Sequence, residues 1–320
     1  MKTPAFWQQR NIWSALLSPA ACLYGVGAAC DRRFTRTQQA SIPVISIGNI
    51  TAGGAGKTPA TMALVQLLRN MGHLPHILTR GYGAQKRSTA HRVVPADEWR
   101  DVGDEALLLA QTAPTWVGRD RLVSAAAAAE DGATVALCDD AHQHYRLQKT
   151  IALLVIDGPY GIGNGQLIPA GPLREPFETA LARADAVVII GDDVHGLEQR
   201  ITLPIFHARL APAGNLDLLQ QKKWLAFAGI GRPAKFFDML RTLGVTLIGT
   251  RAFADHHAYT TAEITALTRE AEALGAHLIT TEKDAVKLAH APTESVTTLP
   301  ITLVFHAPDE VTNFLRAKLA

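Results

Sequence analysis

From residue 43 onward, short apolar and β-branched runs alternate with longer segments of helical periodicity. Seven runs in the first part of the chain predict strands: PVISI (43–47), HILT (76–79), TWVG (115–118), TVALC (134–138), IALLVI (151–156), AVVII (186–190) and PIFHARL (204–210). Between the first two, the residues from 57 to 71 place apolar side chains on one helical stripe and end at Gly72. Strands alternating with helices predict an α/β fold, a mostly parallel sheet with helices on both faces.

A second alternation follows the segment APAGNLDLLQQK (211–222), which has the composition of a linker. Strands are predicted at 224–230, 246–253, 277–281 and 301–306, with helices at 233–244 and 261–275. We therefore expect an N-terminal segment over 1–34, a large domain over 35–210, a smaller α/β domain over 211–305 and a final helix over 306–320. The pattern leaves open which domain receives that last helix, although it could pack back on the first.

The stretch GNITAGGAGKTP (48–59) links the first strand to the first helix and resembles a Walker A phosphate loop. Backbone N–H groups of Gly53, Gly54, Ala55 and Gly56 are expected to converge on phosphate oxygens at the positive end of the helix. Lys57 would reach the β- and γ-phosphates, and the Thr58 hydroxyl would ligate Mg²⁺. Thr51 departs from the usual pattern, which opens with glycine.

Polar residues follow several of the predicted strands, at the edge where a parallel sheet binds ligands. Asp139 and Asp140 follow TVALC, where a phosphate-loop enzyme holds its metal-side acids. LTRGYG brings Arg80 and Tyr82, VGDEALLLAQ brings Asp104, IDGPYG brings Asp157 and GRDR brings Arg119 and Arg121. Taken singly, Asp104 is also explained as a helix cap and Arg80 as a surface ion pair.

The second half contributes FADHHAYT, with Asp255, His256 and His257, and TTEKDAVK. Three consecutive metal-binding residue types suggest a zinc site. However, neighbouring side chains on a strand point to opposite faces, and neither a cysteine nor a third histidine is nearby in the sequence. A histidine paired with a carboxylate for acid–base chemistry is the interpretation we favour.

Composition narrows the class of protein. The chain has 320 residues, 48% of them hydrophobic and 19% charged, which is typical of folded globular domains. A formal charge of +2 without a basic stripe argues against a nucleic-acid partner. Cys22, Cys30 and Cys138 neither pair naturally nor show zinc-ligand spacing, which indicates a reduced, cytosol-facing protein.

Residues 11–30 carry no charge and lie between Arg10 and the triplet DRR (31–33). A signal peptide would send the chain out of the compartment that contains ATP, and a membrane-spanning helix is weakened by Asn11, Pro19 and two glycines. A buried helix that caps the first domain is a further alternative. We favour a helix or helix pair lying in the membrane interface. Its headgroup-level and lipid-facing residues would be Trp7, Trp13, Tyr24, Arg10, Arg32 and Arg33.

Together these segments resemble the tetraacyldisaccharide 4'-kinases, the lipid A 4'-kinases of Gram-negative bacteria. The matching stretches are GNITAGGAGKTP, RGYG, GDEALLL, DDAHQHYRL, GNGQLIPAGPLREP, AGIGRPAKFF, ADHH and TEKDAVK, which span about residues 43 to 288. The resemblance implies transfer of the γ-phosphate of ATP, with Mg²⁺, to the 4'-hydroxyl of a tetraacyldisaccharide 1-phosphate, a lipid A precursor, to form lipid IVA. It also implies a peripheral or monotopic location on the cytoplasmic face of the inner membrane.

Roles are transferred to this chain position by position. The resemblance implies Asp104 as general base, His256 as the residue that orients or tunes it, and Lys57 as a catalytic phosphate ligand. The whole loop from Thr51 to Thr58, including Ala52, would hold the nucleotide, and Thr51 is the normal residue in this family. Thr58, Asp139 and Asp140 would hold the metal, while Arg80, Arg121, Gln143 and Glu175 are weaker candidates for contacts with substrate.

The chain departs from the family pattern after its two aspartates. The family usually follows its two aspartates with glycine and a bulky apolar residue, where this chain has Ala141 and His142. An alanine forced to a positive φ would be strained and would shift the acids.

A regulatory NTPase and a membrane-associated nucleotide-binding protein are the rival functions. We expect the protein to be a monomer.

Overall fold

The computed structural model describes residues 4–84, 89–214, 216–288 and 296–320. Along the chain the helices and strands are α1 (Ile12–Phe34), β1 (Val44–Gly48), α2 (Lys57–Asn70), β2 (Pro75–Thr79), β3 (His91–Arg92), α3 (Trp99–Val102), α4 (Asp104–Ala110), β4 (Thr115–Val117), α5 (Arg121–Glu130), β5 (Val135–Asp139), β6 (Ile151–Asp157), α6 (Phe177–Leu181), β7 (Ala186–Ile190), β8 (Ile205–Pro212), α7 (Leu216–Gln220), β9 (Lys223–Ala228), α8 (Pro233–Thr242), β10 (Thr246–Ala252), α9 (Thr261–Ala273), β11 (His277–Thr281), α10 (Glu282–Ala285), β12 (Val296–Leu299), β13 (Ile301–Phe305) and α11 (Pro308–Leu319).

Within the described ranges, nine strands form one sheet in the order β13–β8–β7–β6–β1–β5–β2–β4–β3. Only the two edge pairs, β13 with β8 and β3 with β4, are antiparallel. All seven strands predicted for the first part of the chain are present, and the α/β fold is confirmed. Because β1 lies between β5 and β6, with Ile47 opposite Asp139, the acids after β5 come beside the loop after β1.

The core of the large sheet explains why these segments take their conformations. Ile45 and Ile47 of β1 are fully buried and belong to one cluster with Leu64 and Leu68, from the predicted apolar stripe of α2. Each such side chain contributes about 1.5–3 kcal/mol through burial. The sheet and α2 are therefore a rigid support for the loop that joins them.

A second, four-stranded parallel sheet has the order β10–β9–β11–β12. Phe236, Phe237 and Leu240 of α8 pack on one face of it, and Ile264 and Leu267 of α9 pack on the other. The strands and helices predicted at 224–230, 246–253, 277–281, 233–244 and 261–275 are all present. Strand β12 was not predicted.

The expectation that 301–306 belongs to the smaller domain was wrong. This segment forms β13, which pairs antiparallel with β8 from Ile301 opposite Pro212 to Phe305 opposite Ala208. The reason is its apolar alternation, since Leu303 and Phe305 join the core of the large sheet. The pairing also extends β8 into the predicted linker, and α7 occupies 216–220 there.

The C-terminal helix α11 follows β13 onto the large sheet. Its buried Val311 and Leu315 belong to the same cluster as Leu64 and Leu68 of α2. The question that the sequence left open is therefore answered, since the chain returns to the large sheet after building the second one.

The N-terminal helix α1 is 23 residues long and lies largely outside both cores. Only Ser14 and Ala21 are buried within it, whereas apolar side chains such as Leu23, at 75% exposure, face outward. A buried capping helix is thus excluded. Among the described helices, α1 alone is long and apolar enough to cross a membrane.

The segment that precedes α1 is tied to the large sheet. The Trp7 indole donates to the carbonyl of Pro169, and the Trp7 carbonyl accepts from the N–H of Asn164. The start of α1 is thus held beside the GNGQLIPAGPLREP segment.

Candidate active site

The phosphate loop lies between β1 and α2, where its backbone is free to bind an anion. Gly56 has a φ of +86°, and a Cβ there would come within 2.6 Å of Ile190 Cδ1. Among the described residues, the backbone N–H groups of Gly53, Gly54, Ala55 and Gly56 donate no hydrogen bond. Because these donors precede the positive end of α2, the loop can hold phosphate oxygens.

Lys57 begins α2 and extends back along the loop. Its Nζ lies 3.2 Å from Asn49 Oδ1 and 3.6 Å from Asp140 Oδ1. The ammonium is therefore held between an amide oxygen and a carboxylate, next to the N–H groups of the loop.

The two acids after β5 have different environments. Asp139 is buried and accepts a hydrogen bond of 3.1 Å from the Thr61 hydroxyl of α2, and burial together with the charge of Glu105 raises its pKa to about 7. Asp140 has a φ of +50° and an ion pair of 3.0 Å with Arg174. Although burial acts to raise it, Lys57 and Arg174 lower the pKa of Asp140 to about 2.

An Asp–His pair joins the two sheets. His256 Nδ1 lies 2.9 and 3.1 Å from the two carboxylate oxygens of Asp104. Because a carboxylate only accepts, Nδ1 carries the proton, and Nε2 is left 3.5 Å from the ammonium of Lys283.

Backbone conformation brings the pair together. Asp104 is the first residue of α4 and follows Gly103, which has a φ of +94°. A side chain at position 103 would place its Cβ only 2.9 Å from the carbonyl oxygen of Tyr82. His256 has a φ of +56°, and its N–H donates to the carbonyl of Gly229 at 3.0 Å. Both residues are thus set by unusual turns rather than by regular strands.

Cations surround the buried carboxylate of Asp104, which is 3% exposed. Burial acts to raise its pKa, but the hydrogen bond from His256 and the charges of Lys283 and Lys287 outweigh burial and lower that pKa. The pKa of Lys283 is raised in turn, because Glu105 and Asp104 outweigh the effect of its burial. The carboxylate is therefore held in its ionised form.

One cavity of about 450 Å³ joins these groups. Its wall includes the loop from Gly53 to Thr58, and Asp140 and Arg174 on the large sheet. It also includes His256 and Lys283 on the four-stranded sheet with its helices, here called the second unit. Asp104 contacts His256 but does not itself line the cavity.

A second contact between the two sheet units lies at the loop itself. The guanidinium of Arg232, just before α8, donates to the carbonyl of Gly54 and to the carboxylate of Asp157. Lys235 Nζ lies 2.9 Å from the same carboxylate, and the guanidinium stacks 4.5 Å over the Tyr160 ring. Arg232 of the second unit thus contacts the phosphate loop directly, and both Arg232 and Lys235 pair with Asp157.

Comparison with known proteins identifies the family. The family model described as tetraacyldisaccharide-1-P 4'-kinase matches residues 13–320. The chain belongs to this family.

Individual relatives are similar to this chain over nearly their full length. Tetraacyldisaccharide 4'-kinases from Paramagnetospirillum magneticum and a Methylobacterium species are 45% and 47% identical, covering 98% and 100% of this chain and 97% of each relative. The crystal structure of LpxK from Aquifex aeolicus in complex with ATP is similar, with a TM-score of 0.80 and 26% identity over 97% of this chain and 100% of that one.

Within this 4'-kinase fold, the N-terminal end of the predicted nucleotide loop lies outside the phosphate cradle. Thr51 is buried and forms a bridge with Leu173, and the N–H of Ala52 donates to the carbonyl of Pro172 at 2.8 Å. Neither lines the cavity. Both residues anchor the loop to the segment 172–174, so the cradle begins at Gly53.

Three of the four weaker substrate candidates do not line the cavity because they are parts of buried networks. Arg121 is buried and donates to the carbonyls of Asp139 at 2.6 Å and Asp140 at 3.1 Å, which fixes the end of β5. Gln143 donates to the carbonyl of Asn49 and to Glu175, and Glu175 is buried against Arg183. Arg80, the fourth, is exposed and lies outside the cavity wall.

Ala141, which replaces the glycine of the family pattern, does not have a positive φ. The positive φ falls on Asp140, so alanine at the next position carries no left-handed strain. His142 is fully buried beside Gly48, its Nε2 donates to the carbonyl of Ala180, and burial lowers its pKa to about 3. This histidine fills the space under the strand end as a neutral side chain.

The metal-side groups fit a nucleotide-bound Mg²⁺. Such an ion takes most of its ligands from phosphate and water and needs only one or two protein oxygens. Thr58 and Asp140 both line the cavity beside the loop, whereas Asp139 lies behind it, bonded to Thr61. The donor set therefore fits with Asp140 as the nearer acid and Asp139 in support.

Sequence reasoning missed several groups at this 4'-kinase site. Arg174 follows Leu173 in the motif GPLREP and lines the cavity, while the neighbouring Glu175 that we selected does not. Lys283 and Lys287 both fall in the quoted motif TEKDAVK, but sequence reasoning assigned neither of them a role. Lys287 follows Lys283 by four residues and Asp284 by three. A signal was present, since residues four apart on a helical turn share a face.

Proposed function

We propose that this protein transfers the γ-phosphoryl group of ATP to the 4'-hydroxyl of a tetraacyldisaccharide 1-phosphate and so forms lipid IVA. The observation that carries the proposal is the meeting of a phosphate loop and an Asp–His pair at one cavity. The family assignment and the similarity to an ATP complex supply the donor and the acceptor.

The nucleotide is bound by the loop. The N–H groups from Gly53 to Gly56 take the phosphate oxygens, and Lys57 pairs with the β- and γ-phosphates. Thr58 and Asp140, supported by Asp139, hold Mg²⁺, which when bound neutralises charge on the phosphates. In this arrangement the protein contributes position and electrostatic stabilisation.

Proton removal falls to the pair. The Asp104 carboxylate accepts the proton of the sugar hydroxyl, and the Nδ1–H of His256 holds that carboxylate in place. Asp104 itself does not line the cavity, so the pair must shift for the hydroxyl to reach the base. Closure of the second unit over the bound substrate then excludes water that would otherwise hydrolyse ATP.

The cations on both walls of the cavity suit a complex in which ATP and the disaccharide 1-phosphate are bound together. Arg174 and Arg232 both line the cavity. Arg174 pairs with Asp140 and Arg232 pairs with Asp157, and each arginine can exchange its carboxylate partner for a phosphate oxygen. Arg80, exposed near the same edge, is retained as a further contact for the substrate 1-phosphate.

The lipid is met at a membrane surface. The exposed apolar side chains of α1, with Trp13 and Tyr24 among them, suit the interface, and Arg32 and Arg33 at its C-terminal end suit anionic headgroups. A peripheral position on the cytoplasmic face of the inner membrane places this helix in the lipid and the cavity in the ATP-containing compartment.

The proposal is tested by ADP release from ATP and Mg²⁺ with and without a tetraacyldisaccharide 1-phosphate in detergent micelles. A lipid kinase releases ADP at a rate that rises and saturates with the disaccharide, and Asp104→Asn removes that dependence. Micelles without the disaccharide are the control. ADP release that ignores the disaccharide would contradict the proposal and indicate a regulatory NTPase.

A further inference from the structure

Lys287 is a fully buried lysine close to the Asp–His pair. Its side chain has no exposed area, and its Nζ lies 2.7 Å from Asp284 Oδ1 and 3.8 Å from Asp104 Oδ2. A buried ammonium is costly unless nearby carboxylates compensate its charge. Here two carboxylates share one ammonium, one from each of the two sheet units.

Asp284 is the fixed end of this arrangement. One of its oxygens accepts from the Gly229 N–H at 3.0 Å and from the Thr281 hydroxyl at 2.7 Å, and the other accepts from the Tyr259 hydroxyl at 3.1 Å. The carboxylate thus has partners at both oxygens and cannot turn. It fixes Lys287 in turn.

Asp284 also acts on the backbone of His256, through Gly229. Gly229 donates its N–H to Asp284, and its carbonyl accepts the N–H of His256 at 3.0 Å and lies 3.5 Å from Lys287 Nζ. The left-handed conformation of His256 is therefore tied to the ion pair below it. Lys287 is thus linked to both members of the Asp104–His256 pair, to Asp104 directly and to His256 through the Gly229 carbonyl, and it does not line the cavity.

We propose that Lys287 is a positioning residue, whose buried ammonium, anchored by Asp284, keeps Asp104 ionised beside His256 across the boundary between the two sheets. The inference rests on the proposed role of Asp104 as base. The other groups that face this carboxylate are the ring N–H of His256 and the ammonium of Lys283, which also pairs with Glu105 at 3.0 Å. Asp104 is buried, so without sufficient positive charge it would take up a proton and cease to be a base.

The test is the pH profile of kcat/KM for phosphorylation of the disaccharide by the full-length chain, from about pH 4.5 to 9. Replacing Lys287 by methionine removes a positive charge 3.8 Å from Asp104. The acidic limb, which in wild type lies below the start of this range, is expected to move upward into it, by about one to three pH units. The loss of rate is then largest near pH 5 and is largely recovered at pH 8. KM for ATP stays near the wild-type value.

Two further variants separate charge from structure. Lys318→Met removes another lysine–aspartate pair of 2.7 Å, with Asp185, outside the cavity wall, and is expected to leave the profile unchanged. If Lys287→Met does not fold, the double variant Lys287→Met/Asp284→Asn leaves no unpaired charge and still shifts the limb upward, by less. A rate lowered by one factor at every pH, in either Lys287 variant, would overturn the inference.

Failure of the inference is distinguishable from failure of the proposed function. If Asp104→Asn is inactive while Lys287→Met keeps the wild-type profile, Asp104 remains the base and Lys287 is only a structural residue. If Asp104→Asn retains the wild-type rate, the assignment of the base itself is wrong.

Discussion

The Asp104–His256 contact predicts a specific pattern of mutational effects. His256 touches Asp104 through one ring N–H, 2.9 Å from the nearer oxygen, at a carboxylate that is 3% exposed. A hydrogen bond to a charged group is worth about 1.5–3 kcal/mol, which is a factor of roughly 10 to 150 in rate. Loss of a general base costs about 10² to 10⁴. We expect His256→Ala in the first range and Asp104→Asn in the second.

Because His256 acts through Asp104, the double variant is expected to match Asp104→Asn alone. The assay is kcat/KM for disaccharide phosphorylation at saturating ATP. His257→Ala is the matched control, since this neighbour has similar exposure but bonds Glu263 at 3.0 Å, and its rate is expected to stay near wild type. If the two losses multiply in the double variant, His256 acts independently of Asp104 and the reasoning is refuted.

Other expectations follow from separate parts of the fold. Lys57→Ala lowers the rate of lipid phosphorylation by at least about a hundredfold, because a phosphate ligand is lost, and a wild-type rate would contradict the nucleotide assignment. Paired Leu16→Ser and Leu23→Ser changes on exposed positions of α1 weaken cosedimentation with anionic vesicles, whereas Leu218→Ser on α7 does not; equal binding would contradict the interfacial helix. Arg183→Met removes the cation that pairs with the buried Glu175 carboxylate, so the free energy of unfolding, measured with denaturant, is expected to fall by about 3–5 kcal/mol. Unchanged stability would refute the importance of that pairing.

Local sequence signals predicted much of the large sheet. The run PVISI, the glycine-rich loop and the apolar stripe of α2 form one continuous strand–loop–helix unit, whose hydrophobic pattern and turn residues agree with each other. For the same reason the strands between residues 76 and 210 were found at their observed positions.

Long-range pairing was beyond the reach of those signals. The run ITLVFH predicts a strand, but nothing within it states that its partner is β8 rather than the nearer β11. Periodicity reports which face of a strand is apolar, and two sheets of one chain offer the same kind of surface.

The site was predicted only as far as residue type indicates chemistry. The stretch GPLREP offers Arg174 and Glu175 side by side, and their opposite directions, one into the cavity and one into a buried network, depend on the bridge of Leu173 to Thr51. Similarly, Arg121 has the charge of a phosphate ligand but is used to hold the carbonyls of Asp139 and Asp140. Burial decides between these uses, and it is set by tertiary packing.

The most direct test of the central claim follows the phosphate. The protein is incubated with γ-labelled ATP, Mg²⁺ and a tetraacyldisaccharide 1-phosphate, and the lipid is extracted for counting and for ³¹P NMR. We predict one labelled phosphate per disaccharide, at the 4' position, with wild type and almost none with Asp104→Asn. Label released only as inorganic phosphate, with the lipid unlabelled, would contradict the claim that this chain is a lipid kinase.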